Sequence, residues 1–383
     1  GYAEKIVDEW LNGDYDAVFG APAHETVNLS PVDITTPTGD YTIRSDWKSS
    51  TPTAKWNSRV YARAISTLTG YTAGALSEYD QYGGITNTGI KGQATGFFHT
   101  EKHGGRIYII DPLGNPFFAV GMNTVELGAT DNQDQAALDK YGTAENFYKS
   151  ISEELRASGI NTVWGGEWKE LIATGNLSTA GSIGCISSYM SGLSLGVSTG
   201  GSAAFLHNNT MNVFDPDFVT FVRNKVDTVV KPYVDNPYIL GWYSDNEIPS
   251  EEDMLYRYLT IDPSEPVNAF SYAAAWTFLK VRTGKANPTT DDITTALAEE
   301  FKAFVYDRYF RVVTGAMDEA GVKQMYLGNR IHSENRTSEG YLRAASQYVD
   351  ILTVNLYGGP EPSIDTIEYM YQYSGKPIIV TEF

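Results

Sequence analysis

The sequence predicts an α/β protein whose main body is a (β/α)8 barrel of the TIM type. Three observations carry that expectation. Short apolar runs alternate with helical patterns from about residue 117 onward, the rhythm of a parallel sheet wound with helices. Two of those runs, I-L-G-W-Y at 239–243 and P-I-I-V-T at 377–381, end in polar residues that include Glu247 and Glu382, and barrels carry their chemistry at the carboxyl ends of strands. The chain has 383 residues, enough for a barrel of about 250 residues preceded by a leader.

Residues 1–94 read as an irregular N-terminal leader wrapping the barrel, and residues 95–383 as the catalytic barrel. Within the leader, 2–11 reads as a short helix and 57–68 is amphipathic. The stretch 21–53, rich in Pro, Thr, Ser and Asp, reads as surface loop. Nothing there resembles the series of alternating strands of a separate carbohydrate-binding module. Residues 96–110 then form a hairpin turning at Gly104-Gly105, suited to plugging the amino-terminal mouth of the barrel. A turn at 111–116 leads into strand one, 117–123, which ends at Asn123.

Helix 145–157 follows, with Phe147, Ile151 and Leu155 on one face and Gly159 at its end. Strand two is 160–164, followed by Gly165, Gly166, Glu167 and Trp168. Strand three falls at 192–197, inside a Gly/Ser-rich region, 174–209, that reads as a long active-site loop. Asp215-Pro216 opens the next helix as N-cap and first-turn proline; its buried stripe is Phe218, Phe221, Val222, Val226, Val229, Val230 and Tyr233. Strand four is the run ending at Glu247. Helices at 269–282 and 293–320, strand five at 324–327, strand six at 351–355 and strand seven at 377–381 complete the pattern. No eighth strand follows Glu382. Two unpaired edges would be left, so the eighth βα unit is expected to come from a missing segment or a second chain.

Composition narrows the partners. Asp and Glu outnumber Lys and Arg 47 to 28, for a net charge of -19, which opposes binding to nucleic acid or heavily sulfated glycans. The single cysteine, Cys185, forbids an intrachain disulfide. No window of about 18 apolar residues occurs and the chain opens without a charged start and apolar core of a signal peptide, so no membrane association is expected. Aromatic residues make up 13% of the chain, with 26 Tyr and 7 Trp; their flat apolar faces with polar edges suit sugars, although large barrels also use them as core.

The two strand-end glutamates suggest a glycosidic bond cleaved with retention. That reaction needs two carboxyls about 5 to 5.5 Å apart, one protonating the leaving oxygen and one attacking the anomeric carbon. Glu247 is the expected acid/base, desolvated by Trp242 and Tyr243, and Glu382 the nucleophile. Asn246 would hydrogen-bond a sugar hydroxyl, Tyr357 orient Glu382, and Arg330 hold that carboxylate ionised. Asn123, Trp164, Glu167, Trp168, Asn355 and His332, all at or after strand ends, complete the expected substrate-binding set. Trp164 and Trp168 are candidates for a sugar platform or for core. Each glutamate alone has a plainer reading as a helix cap or solvated loop residue, and Glu126 and Glu167 are rival carboxylates.

Asn246-Glu247 after a fourth strand, with Thr381-Glu382-Phe383 after a seventh, resembles the signature of clan A retaining glycoside hydrolases. Residues 95–102 (T-G-F-F-H-T-E-K), 106–118 (R-I-Y-I-I-D-P-L-G-N-P-F-F), Ser244-Asp245-Asn246-Glu247 and 326–330 (Y-L-G-N-R) resemble the β-agarases of glycoside hydrolase family 50. The resemblance covers about residue 95 to the end. It implies a (β/α)8 fold, double displacement on agarose or a related neutral algal galactan, no metal or cofactor in the chemistry, and a secreted or periplasmic location. It assigns Glu247 as acid/base, Glu382 as nucleophile, and Asn246, Arg330 and Tyr357 as supporting residues. The leader departs from it, lacking the β-rich accessory domain of that family. A clan A enzyme for another β-glycan, such as mannan or glucan, and an inactive carbohydrate-binding barrel are the alternatives.

Other chemistries lack their residues. There is no His-x-His or H-E-x-x-H for a metal hydrolase, no phosphate loop and no nucleophile elbow. Asp131-Asn132-Gln133-Asp134 lacks the glycine and terminal glutamate of a calcium loop and reads as a polar surface turn. His24, His99, His103 and His207 form no recognisable set.

Overall fold

The computed structural model describes residues 1–13, 41–45, 58–62, 78–193, 210–248, 251–357 and 363–383. The chain divides into two units, residues 29–75 and the remainder. In the smaller unit the described residues form an antiparallel pair, β1 (Tyr41–Ser45) and β2 (Ser58–Ala62), with Tyr41 opposite Ala62 and Ser45 opposite Ser58. Two expectations change here. The loop 21–53 contains a strand, and the amphipathic stretch 57–68 begins as one, because Tyr, Thr, Ile and Val suit a pleated surface. The rest of both ranges lies outside the described residues.

In the larger unit, α1 (Tyr2–Asn12) buries Ile6, Val7 and Trp10. The hairpin forms as expected: β3 (His99–His103) and β4 (Arg106–Ile110) pair around Gly104 and Gly105, both at positive φ, and β5 (Pro116–Phe117) adds a third antiparallel strand. His99 and His103 do form a set: each places Nε2 against one oxygen of Glu101, at 2.8 and 2.9 Å. Residues i, i+2 and i+4 of a strand share a face, a pattern hidden in the linear order.

The main sheet is parallel. Its five ladder-paired strands run in the order β10, β9, β8, β7, β6, where β6 is Gly121–Val125, β7 Thr162–Gly166, β8 Ser178–Ser182, β9 Ile239–Tyr243 and β10 Met325–Tyr326. A single parallel bridge from Ile331 to Val354 leads on to β11 (Leu352–Asn355), which pairs with β12 (Ile378–Glu382). Among the described residues no ladder joins β12 to β6, so the hydrogen-bonded array is an arc.

Strand three is the main correction. It is β8, not 192–197: Gly192 ends a helix, α5 (Ile186–Gly192), and 194–209 lie outside the described residues. The region read as one loop thus holds a strand and a helix. The sequence S-T-A-G-S carries no apolar run because its neighbours are large: a Cβ on Gly181 would lie 2.3 Å from Trp242 Cζ3. The acidic stretch at 131–134 is likewise the first turn of α2 (Asp131–Tyr141), capped by Thr130, whose side chain accepts from Gln133 N. Acidic residues suit the positive end of a helix.

Side chains divide between two faces. Inside the arc, Phe98 and Phe117 from the hairpin and Tyr82 pack with Trp164, Ala180, Leu240, Tyr243, Met325, Leu327 and Ile351. A register shift at Thr179/Ala180 lets β9 send Leu240 and Tyr243 inward, and Ile239 and Trp242 outward. Outside lie α3 (Ala144–Ala157), α4 (Trp168–Ala173), α6 (Pro216–Val229), α7 (Met254–Thr260), α8 (Ala269–Thr283), α9 (Thr295–Ala320), α10 (Glu339–Ser346) and α11 (Ile364–Ser374). Asp215 caps α6 through Asp217 N at 2.9 Å, as the Asp-Pro pair requires. The long α9 starts at its Thr294 cap and stops at Gly321, left-handed at φ 74°. No helix among the described residues is long and apolar enough to cross a membrane.

Candidate active site

The carboxyl ends of β9, β10, β11 and β12 are joined by their backbones. Ser244 N donates to Gly328 O at 2.8 Å and Glu247 N to Asn329 O at 3.0 Å; Ile331 N donates to Thr353 O, Asn355 N to Ile331 O, and Leu356 N to Glu382 O. Four strand ends separated widely in the chain therefore form one platform. Glu247 and Arg330 sit on it at positive φ, 49° and 47°. Such backbone is costly for residues with a Cβ and persists where surrounding structure holds it, often at functional sites.

Asp245, two residues before Glu247, turns away and anchors the platform from below. It is buried and accepts from Ile186 N, Ser187 N, the Ser187 hydroxyl and the Tyr309 hydroxyl, at 2.6 to 3.0 Å. Burial pushes its carboxyl up from the ordinary range, and these donors pull it back. The Tyr309 oxygen also lies 2.6 Å from Ser244 Oγ, so α9 fixes the segment that delivers Glu247. Asn335 holds the next residue, donating to Ile248 O at 3.0 Å.

On the platform the side chains converge. Arg330 Nη2 donates to Glu382 Oε1, and the Tyr357 hydroxyl to Glu382 Oε2. Arg330 Cζ also lies over the Tyr243 ring, 5.5 Å from its centroid. Asn355 Nδ2 donates to Glu247 Oε1 at 2.7 Å. The hydrogen bond to Glu382 is the main cause that raises the Tyr357 phenol to about 12, and the charges of both Glu382 and Glu247 add to it. Tyr357 therefore remains a donor at neutral pH and feels both carboxylates. It is 58% exposed, so this cluster opens to solvent. Arg330 and Glu382 are mostly covered and Glu247 is half-buried.

The remaining candidates divide. Asn246 is half-buried beside Glu247. Trp168 is core: its ring packs edge-on against Trp242, centroids 5.3 Å apart, and against Tyr233. It is buried, so of its two readings, sugar platform and core, the structure favours the core. Trp164 is 3% exposed and packs inside the arc near Tyr243, so it too is an interior ring. Asn123 is exposed on β6, and Glu167 is exposed at the start of α4; neither hydrogen-bonds to the glutamates among the described residues. Glu126 is exposed as well. His332 is partly buried at the start of a 3-10 turn, Ser333–Thr337. Cys185 is buried, its thiol pushed up by burial, the opposite of an activated nucleophile.

No protein-family model matches the sequence, and no curated protein matches it. Solved structures do. The chain is similar to the crystal structure of BpGH50, with a TM-score of 0.67 and 23% identity, over 85% of this chain and 74% of that one. It shares the fold of the GH50 structures. The crystal structure of the agarase AgWH50C gives a TM-score of 0.59 at 20% identity over 79% of this chain and 52% of that one. An exo-β-agarase gives 0.56 at 18% over 79% and 55%. The chain spans about half the length of these two agarases. At such identities the GH50 likeness is one of fold.

One member of the candidate site escaped sequence reasoning. Thr381 is buried with its hydroxyl 2.7 Å from Asn355 Oδ1; Tyr243, expected beside Glu247, has Arg330 over its ring. A strand-end threonine beside a glutamate gives no linear sign of its direction, which is set by a register shift opposite Val354/Asn355.

Proposed function

We propose that the protein is a retaining glycoside hydrolase cleaving β-linked bonds of a neutral galactan of the agarose type. The observation that carries the reading is that one bonded cluster holds both glutamates: Asn355 Nδ2 donates to Glu247 Oε1 at 2.7 Å, Asn355 Oδ1 lies 2.7 Å from the Thr381 hydroxyl, and Arg330 and Tyr357 hold the adjacent Glu382. Retention uses two carboxyl groups facing one sugar. The agarases that share the fold support the substrate class. A (β/α)8 barrel of clan A type is the architecture this reading implies.

In the first step a Glu382 oxygen attacks the anomeric carbon while Glu247 transfers its proton to the departing glycosidic oxygen. The bond to the leaving sugar breaks and a glycosyl ester on Glu382 forms. In the second, Glu247 takes a proton from water, the water oxygen attacks the same carbon, and Glu382 leaves as carboxylate. Arg330 and Tyr357 engage one Glu382 oxygen each and so orient the attacking group; to Asn246 the reading assigns a hydrogen bond to a sugar hydroxyl. No metal or cofactor enters either step. Long polysaccharides do not cross membranes unaided, so the reading places the enzyme in a secreted or periplasmic setting.

The test is release of reducing ends from agarose by wild type, Glu247→Gln and Glu382→Gln, with oligosaccharide binding measured in parallel. The reading expects each variant to lose at least about 10²-fold in turnover while binding persists. Undiminished turnover in either variant refutes it.

A further inference from the structure

The hydrogen bonds around the two glutamates run in one direction. Arg330 has only donors. Its Nη2 donates to Glu382, and its Nε lies 3.4 Å from Thr381 Oγ1. Having accepted there, the Thr381 hydroxyl has one proton to give, and Asn355 Oδ1 at 2.7 Å is a nearer acceptor than Val354 O at 3.3 Å. An amide whose oxygen is engaged in this way presents its nitrogen on the other side, where Asn355 Nδ2 meets Glu247 Oε1 at 2.7 Å. Every step points away from Arg330, and each end finishes on a carboxylate oxygen.

The links are built into the fold. Asn355 is fully buried and Thr381 nearly so, so water competes little for either. The pairing of β11 and β12 slips at this point, Val354 facing Val380 but Asn355 facing Glu382. Thr381 is the extra residue, and such bulges re-aim a side chain. The slip lets consecutive residues, Thr381 and Glu382, both reach into the cluster.

We propose that Thr381 is a positioning residue for Glu247, acting through Asn355: it fixes which end of the Asn355 amide faces the acid/base, and ties that carboxyl to the Arg330 that holds Glu382. Asn355 is thereby assigned to the protein's own machinery and not to sugar recognition. The inference rests on the glycosidase reading above and names positioning residues within that site.

The experiment measures kcat and KM on agarose for Asn355→Ala, Thr381→Val, Thr381→Ser and the double variant Asn355→Ala/Thr381→Val, with Glu247→Gln as reference. Misplacing the acid should cost about tenfold or more in kcat for Asn355→Ala and Thr381→Val, with KM within about twofold, while Thr381→Ser stays within about threefold of wild type. The double variant should be no slower than Asn355→Ala alone, since a residue acting through another adds nothing once that partner is gone. Wild-type kcat in Thr381→Val, equal loss in Thr381→Ser and Thr381→Val, or additive losses in the double variant would overturn the proposal. If Glu247→Gln is inactive while the other variants are not, only this inference fails; if Glu247→Gln is active, the glycosidase reading fails first. An arm independent of turnover is the side-chain amide NMR signal of Asn355, identified by its loss in Asn355→Ala. It should shift in both Thr381→Val and Glu247→Gln, and an unmoved signal in either contradicts the connection.

Discussion

Asn355 and Glu247 stand 108 positions apart in the chain, yet the amide nitrogen of one donates to Oε1 of the other at 2.7 Å. Their strands are not neighbours; the segment carrying Arg330 lies between them, paired by Ile331 to Val354. The platform therefore holds the candidate acid from a distant strand end, and several of its parts can be tested one at a time.

Arg330 is the hub. Replacing it with Gln removes the cation from Glu382, the donor to Thr381 and the contact over Tyr243. We expect kcat on agarose to fall by about 10² to 10³-fold. Arg330→Lys recovers little, because a point charge cannot reproduce the planar fork. Steady-state kinetics of both variants checks this, and full activity in Arg330→Lys would speak against geometry-specific holding.

Trp168 packs between Trp242 and Tyr233 on the outer face of the sheet. Trp168→Ala should destabilise the fold by about 3 to 5 kcal/mol and leave KM unchanged at temperatures where the variant is folded. Denaturant unfolding alongside kinetics decides it: a raised KM with unaltered stability would return Trp168 to the sugar site.

Gly181 faces Trp242 so closely that a Cβ would lie 2.3 Å from its ring. The indole must move to admit one. Gly181→Ala is expected to cost about 1 to 3 kcal/mol, read as a lowered unfolding midpoint. An unchanged midpoint would mean that β8 and β9 do not pack as described.

Asp111 gives a pH prediction with a definite sign. It is buried, its Oδ1 accepts from Leu113 N and Asn115 N, and Asp80 adjoins it. Burial first, then the Asp80 carboxylate, push Asp111 up to about 7, above the ordinary Asp value of about 3.9. A carboxyl raised in the folded state contributes stability that is fully present below its unfolded value and is lost as pH rises toward the folded one. Asp80 is held low, so its contribution changes only at more acidic pH. Between about pH 4 and 7, wild type should lose stability relative to Asp111→Asn, which has no proton there to lose. Melting temperatures of the pair across that window test this, and parallel curves would exclude it.

How much of this was legible in the sequence follows from what each element buries. β9 and β12 stood out because an apolar run ended abruptly in acidic residues, and α6 because Asp215-Pro216 states its own start. The helix α9 was readable from its length and apolar content. β8 was not, because a strand facing Trp242 must be built of small residues and so looks like loop. Trp164 and Trp168 could not be divided between sugar and core, since a ring near a strand end serves either purpose and only burial distinguishes them. The roles of Thr381 and Asn355 depended on a one-residue slip between β11 and β12, and register has no linear signature.

The account stands on Glu382 as the attacking group, with Glu247 assisting across the same sugar. The most direct measurement is mass spectrometry of the protein after incubation with a 2-fluoro galactosyl donor carrying an activated leaving group, followed by peptide mapping. The account predicts a single added glycosyl group on the peptide that contains Glu382, absent in Glu382→Gln. Attachment to a different carboxylate, or turnover of the donor with inversion at the anomeric carbon, would contradict it.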